Sequence, residues 1–447
     1  MAQVLPAPPL VAAVAAVTAA PRRFLPVLPV LALVATLALP VPGDAGGGGG
    51  GGGTVADAVS GLVVLCCALR LVRGRRRPLT RTAAVVLAMP VVGVALATAG
   101  AASAGAGAAG LVRYLQIFVL VPAAVMLLVR DRRDARLIAW SLVTLALWQG
   151  AIGVHQYVTG TGASYQGEEI RAVGTFGPTD IMGMAAVVSF GLVCALGLAL
   201  GSGPARHRAV AAACALALLL PLAVSFSRGA WIATAVTCGA QLALAGLRRA
   251  VQVFAVAAAA AVVLVGGLGV GTAMLQERMS SITQVAQAPD QSVTDRYTMW
   301  AAAVDMWRER PLTGVGLKGF PDHRDGHASL ALSSGSDTDG AGAGFHRQPL
   351  LSPHNMYLLV LSEQGLLGLL ALAGSWLALL VRGLRRLVRA RRSPDGPDCA
   401  LVACGMLLWQ LVDFAYADIG GPSTVLTALV LGLAAWWALA PEGAGER

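Results

Sequence analysis

The chain is expected to fold as an all-α polytopic membrane protein with about twelve transmembrane helices and one large extracytoplasmic loop carrying an amphipathic helix. Three observations predict this. Of 447 residues, 56% are hydrophobic and only 13% charged, roughly half the charged share of a soluble domain. Apolar runs near the ~20 residues that cross a bilayer recur along the whole length. The basic residues gather at alternate ends of those runs, as the positive-inside rule requires.

Taken in order, the spans are read at roughly 24–41, 55–72, 82–100, 109–129, 136–157, 181–201, 208–225, 229–246, 250–273, 353–381, 398–415 and 423–440. The first resembles a signal peptide in length, but a glycine run follows it in place of a small-residue cleavage site, so it is kept as a helix. That run, Gly46–Gly53, reads as a flexible outer hairpin loop.

The net charge of +10 raises the possibility of nucleic acid, and its distribution argues against it. Clusters at 21–24, 70–81, 130–136, 205–208, 247–250 and 381–392 all fall on one side when twelve spans are threaded from a cytoplasmic N-terminus. The C-terminus is then cytoplasmic too. The long loop 274–352 lies outside, with seven basic residues against nine acidic ones. The positive charge is therefore read as a topology signal of a multi-pass protein in a lipid bilayer. The seven cysteines sit in or beside apolar spans and read as buried and inert, without disulfide or zinc spacing.

Three regions follow: residues 1–165, N-terminal spans with the Gly-rich outer loop; 166–381, which gathers the polar motifs and includes loop 274–352; and 382–447, a basic cytoplasmic linker with the last two spans. In the middle region four polar stretches fall at outer ends of spans: "IRAVGTFGPTD" (170–180), "SFSRGAW" (225–231), "TDRYTMWAAAVDMWRERPLTGVGLKGF" (294–320) and "SPHNMYLLVLSEQGLLGLL" (352–370). Polar groups converging at one membrane face make a site.

Arg228 sits in a very short turn. It is either a snorkelling anchor or a functional cation, and an external turn favours the second, because anchoring basics prefer the cytoplasmic side. Arg296 opens an amphipathic segment with Met299, Trp300, Ala303, Val304 and Trp307 on one face. Such a helix is expected to lie along the membrane surface, and an ion pair with Asp295 is the plain alternative for Arg296. His354 follows Pro353 at a helix start, where the positive end of the helix dipole favours a neutral imidazole able to accept a proton. A capping histidine is the alternative. Asn355 is positioned to orient that histidine or to bind a sugar hydroxyl. Glu363 lies about 13 Å further along the helix on the opposite side and reads as a buried partner for an arginine or a backbone group. Ser362, Gly365 and Gly368 read as a small-residue ridge for a neighbouring helix.

Other signals are set aside. "GVGLKG" (314–319) matches a dinucleotide fingerprint in letters only, with no βαβ unit around it. "HRDGH" (His323 to His327, with His346 later) reads as a solvated loop more readily than as a metal site. Lys318, the only lysine, is either a phosphate contact or incidental. Asp413 is a second intramembrane carboxylate near the outer face.

These four motifs, in this order, resemble the O-antigen ligase and polymerase superfamily of bacterial polysaccharide assembly, over about residues 165–381. The resemblance implies a GT-C-like helical fold in the bacterial plasma membrane. It also implies transfer of a glycan from undecaprenyl diphosphate to an acceptor at the outer face, without metal or cofactor. The acceptor is a glycan, a lipid or a wall polymer, and ligase and polymerase both remain open. By position in the motifs, the resemblance makes Arg228, Arg296 and His354 the essential residues and Arg171 a further phosphate contact. Asn355, Lys318 and Asp180 are the remaining candidates for substrate binding. Where the family often has Pro-Asn after "GTFG", this chain reads Pro178, Thr179, Asp180. The competing class is a secondary transporter or lipid-linked-glycan flippase using Asp413 and Glu363.

Overall fold

The computed structural model describes residues 25–40, 54–74, 79–165, 168–180, 182–246, 251–252, 291–332, 336–340, 343–348, 350–391, 396–421 and 423–440. Helices dominate them: α1 (Leu28–Thr36), α2 (Val55–Gly74), α3 (Arg81–Ala99), α4 (Ala104–Leu128), α5 (Arg132–Thr159), α6 (Gly183–Ala199), α7 (Ala205–Val224), α8 (Arg228–Ala245), α9 (Gln291–Glu309), α10 (Phe320–His327), α11 (Met356–Ala390), α12 (Asp398–Asp413) and α13 (Thr424–Leu439). Six of these, α2, α3, α4, α5, α7 and α11, are long and apolar enough to cross a bilayer, while α6 and α13 are shorter apolar helices. The span read at 250–273 and the Gly46–Gly53 run lie largely or wholly outside the described residues.

Local chemistry explains the boundaries. Asp131 caps α5 by accepting from the Arg133 and Asp134 N–H groups, both at 2.9 Å, and Gly160 ends the helix at φ 70°, a conformation that glycine adopts without strain. In α4 a π-helical turn, Gln116–Leu120, ends two residues before Pro122. A proline has no N–H for the ladder and crowds the carbonyl four residues back, and the wider turn relieves both problems.

At the centre stand α6 and α13, buried along their whole length. Helix α6 packs against α5, α7 and α12. Gly191 makes this possible, since a β-carbon there would sit 2.1 Å from the Ala146 methyl.

The bundle has two chemically distinct ends. At one, Arg132 and Arg136 of α5 hold Asp398 at the start of α12 at 2.8 and 2.5 Å. At the same end Arg386 donates to the last carbonyls of α13, on Trp437 and Ala440. Described residues of the basic clusters at 130–136 and 381–392 lie at this end. The opposite end gathers the four polar motifs.

A small sheet at the motif end is the departure from an all-α fold. Strands β1 (Ala163–Tyr165), β2 (Glu168–Arg171), β3 (Ser336–Gly340) and β4 (Ala343–Gln348) pair antiparallel in the order β2-β1-β3-β4. They are three to six residues long. Strands so short leave little alternating pattern in the sequence, and the pairing of β1 with β3 joins distant segments.

Helix α11 is broken at Gly365 (φ 66°, ψ −167°). The segment 311–317 fills the break. Leu366 and Leu367 N–H donate to the Pro311 and Leu312 carbonyls, while Val315 and Gly316 N–H donate to those of Ser362 and Glu363. Irregular backbone inside a membrane bundle is tolerated only when its polar groups are satisfied in this way. Gly365 is therefore a break that admits a loop, where a ridge for a helix had been expected. Gly368 does serve as the small residue for a helix contact, with its α-carbon against Gly93 of α3. The glycines of "GVGLKG" are explained as well: a β-carbon on Gly314 would lie 2.4 Å from the Glu363 carbonyl carbon, and one on Gly316 would lie 2.1 Å from the Gly100 oxygen.

Candidate active site

His354 is held in the left-handed region at φ 48°, an uncommon conformation outside glycine that needs surrounding structure to hold it. The clamps are visible on both sides. On one, Trp300 of α9 donates its indole N–H to the Pro353 carbonyl at 2.8 Å. On the other, Asn355 caps α11, its Oδ1 accepting from Tyr357 and Leu358 N–H at 3.0 and 3.1 Å. Its Nδ2 donates to the Ala415 carbonyl at 3.0 Å, and the Met356 N–H is shared between the Phe414 and Ala417 carbonyls. The Asn355 amide thus serves the chain itself, orienting the segment that carries His354.

Those contacts tie the site to the turn 414–421, which sequence reasoning passed over apart from Asp413. Asp418 of this turn and Arg296 of α9 both lie within electrostatic reach of His354. Burial lowers the imidazole below its ordinary value; Asp418 pulls it back up and Arg296 adds to the lowering. Arg296 also faces Asp413. Within "WQLVDFAYADIGG" a second acid five residues after Asp413 was the available signal for Asp418.

Arg228 is the exposed first residue of α8. Its turn is tightly built: Phe226 is left-handed at φ 52°, Ser227 caps the helix through the Ala230 N–H, and Trp231 donates its indole N–H to the Leu222 carbonyl at 2.7 Å. The next residue, Gly229, packs against Tyr416, to which a β-carbon there would come within 3.4 Å. The helix start that carries Arg228 therefore abuts the same turn that holds His354. Phe226, Lys318 and His354 are the left-handed non-glycine residues among those described, and each lies in one of the motifs.

The "GTFG" corner reaches this turn from a third side. Asp180 accepts from the Ser423 N–H at 2.9 Å. Burial raises its carboxyl to about 6 against the hydrogen bonds from Ser423 and Gly183. Two glutamines in the apolar helix α5 fix the corner. Gln156 accepts from Val173 and Gly174 N–H, and Gln149 accepts from the Thr175 N–H at 2.9 Å. Their place in an apolar helix was a sequence signal that went unused. Arg171 ends β2, its backbone paired with Ala163.

Residues 211–373 match the family model described as O-Antigen ligase. Over that stretch the chain is similar to the O-antigen ligase family. The match includes Arg228, Arg296 and His354, and leaves Arg171 and Asp180 outside it. No curated protein matches the chain.

Within the matched residues, Glu363 accepts from the Phe320 N–H at 3.3 Å and from that of Lys318, whose ammonium is in electrostatic reach. It is a buried partner of backbone groups. Lys318 is left-handed at φ 62°, and its side chain is exposed beside Gly110 of α4. Helix α9 buries Met299, Ala302, Ala303 and Met306, a stripe rotated from the expected one because α9 packs on α10 and α11. His323 and His327 of α10 place Nδ1 on the carbonyls four residues back, at 2.9 and 2.8 Å. The His346 side chain lies outside the description.

Proposed function

We propose that the protein transfers a glycan from a polyprenyl-diphosphate carrier to an acceptor hydroxyl at the outer face of the bacterial plasma membrane, as a surface-polysaccharide ligase or polymerase. The observation that carries this is the convergence on one turn of Arg296, His354 and the Arg228 helix start, each from a different motif. Residues 166–381 are the catalytic region in this reading. The twelve-span, GT-C-like topology puts the basic end in the cytoplasm.

Breaking a sugar–diphosphate bond requires stabilising the departing oxyanions. Guanidinium groups are always charged and donate in a fork that matches phosphate. Arg228 and Arg296 take that role, with Arg171 and Lys318 as further phosphate contacts. His354, neutral and half-buried, receives the acceptor proton. The acceptor oxygen bonds to the anomeric carbon as that carbon's bond to the diphosphate breaks, and the electron pair leaves with the diphosphate. One displacement inverts the configuration. Asn355 and Asp180 act by holding the turn against the His354 segment. One carboxylate oxygen of Glu363 accepts from the Phe320 N–H, and Asp413 faces Arg296, so both carboxylates have partners in the transferase reading.

The test is transfer by the full-length protein in nanodiscs, supplied with an undecaprenyl-diphosphate oligosaccharide and acceptor. The expected product has the inverted anomeric linkage, and transfer survives a metal chelator. A retained linkage would contradict the single displacement.

A further inference from the structure

Below His354 lies a second polar cluster that the transfer chemistry leaves unused. Tyr114 of α4 and Glu363 and Gln364 of α11 are 1%, 1% and 2% exposed. Tyr114 lies beside Gln364 and within electrostatic reach of Glu363 and Asp418, and Asp418 in turn reaches both Glu363 and His354. Four buried atoms here, Tyr114 Oη, Gln364 Nε2, Glu363 Oε2 and Asp418 Oδ2, complete no hydrogen bond among the described residues. Buried polar atoms left unpaired are costly, and ordered water ordinarily satisfies them. The break at Gly365 lies next to Gln364, and irregular backbone at membrane depth is where polar, hydrated sites form.

We propose that these four groups hold a small cluster of ordered waters, and that this cluster is the path by which the acceptor proton moves from His354 inward to Asp418 and Glu363. The inference rests on the transferase reading. As the acceptor oxygen bonds to carbon, its proton passes to His354. A proton from the imidazolium then moves through Asp418 and the waters to the Glu363 carboxylate, which becomes a carboxylic acid, and His354 is neutral again. After the products leave, the same proton returns along the same groups to the outer solution, so nothing is consumed. Moving it inward removes a positive imidazolium from beside Arg296 while the diphosphate departs. The groups facing His354 are Arg296 and Asp418; those facing Asp418 are His354, Asp413, Glu363 and Tyr114.

Two measurements on the full chain test this. The first is a high-resolution map in nanodiscs, which is expected to show waters bridging Tyr114, Gln364, Glu363 and Asp418; direct packing of the four side chains without water would overturn the proposal. The second is kinetic, using Tyr114→Phe and Glu363→Gln, because the glutamine oxygen still accepts from Phe320 and Lys318. Both variants are expected to lower kcat roughly tenfold and to raise the solvent deuterium isotope effect on kcat, with donor KM unchanged. Wild-type kcat and isotope effect, or a loss carried by KM and thermal stability alone, would overturn it. Failure of the transferase reading is distinct: it would show as no transfer by the wild-type protein.

Discussion

At His354 three pressures act on one imidazole: a strained backbone, burial, and opposed charges from Asp418 and Arg296. A base must be neutral to act. Since burial holds His354 below its ordinary 6.5, kcat/KM is expected to rise with pH along an acid limb centred below about 6.5 and to be flat above it. A limb at or above pH 7 would mean that another group limits the reaction. His354 was legible in the sequence because a polar pair opening an apolar run is costly unless it has work. Its neighbour Asp418 was not, because a carboxylate in a Gly-containing turn resembles an ordinary solvated acid until Asn355 and Met356 are seen to lock that turn.

Among the elements, α11 does the most to fix the site, through its cap at Asn355 and its break at Gly365. A β-carbon at Gly365 would meet the Leu312 carbonyl carbon at 2.3 Å, on a backbone at φ 66°. Gly365→Ala is therefore expected to destabilise the protein by more than about 2 kcal/mol. Gly61→Ala in α2 meets nothing within 4 Å and is expected to be neutral or slightly stabilising. Thermal unfolding in detergent checks both, and equal effects would contradict the role given to the inserted loop. Six of the spans read from the sequence return as helices long and apolar enough to cross a bilayer, readable as apolar runs because lipid demands them. The inserted segment 311–317 and the four-stranded sheet were not, because both depend on backbone pairing between distant segments, which leaves no periodic signature.

Over the whole molecule, basic clusters at one end and polar motifs at the other define a sided protein. The proposed twelve-span topology has the motif end outside. A cysteine placed at exposed Leu330 in a cysteine-free background is expected to react with an impermeant maleimide in intact cells, and one at Gly203 only after permeabilisation; the reverse pattern would invert the topology. The alternation of charge along the sequence predicts which end faces the cytoplasm, whereas the approach of the Arg228 helix start, Arg296 and His354 to the turn 414–421 is legible only in the fold. That meeting is the central claim, and its most direct measurement is transfer from undecaprenyl-diphosphate glycan by purified Arg228→Ala, Arg296→Ala and His354→Ala proteins. Each is expected to lose about 100-fold or more in kcat/KM while folding as the parent does; transfer at the parent rate in all three would contradict the account.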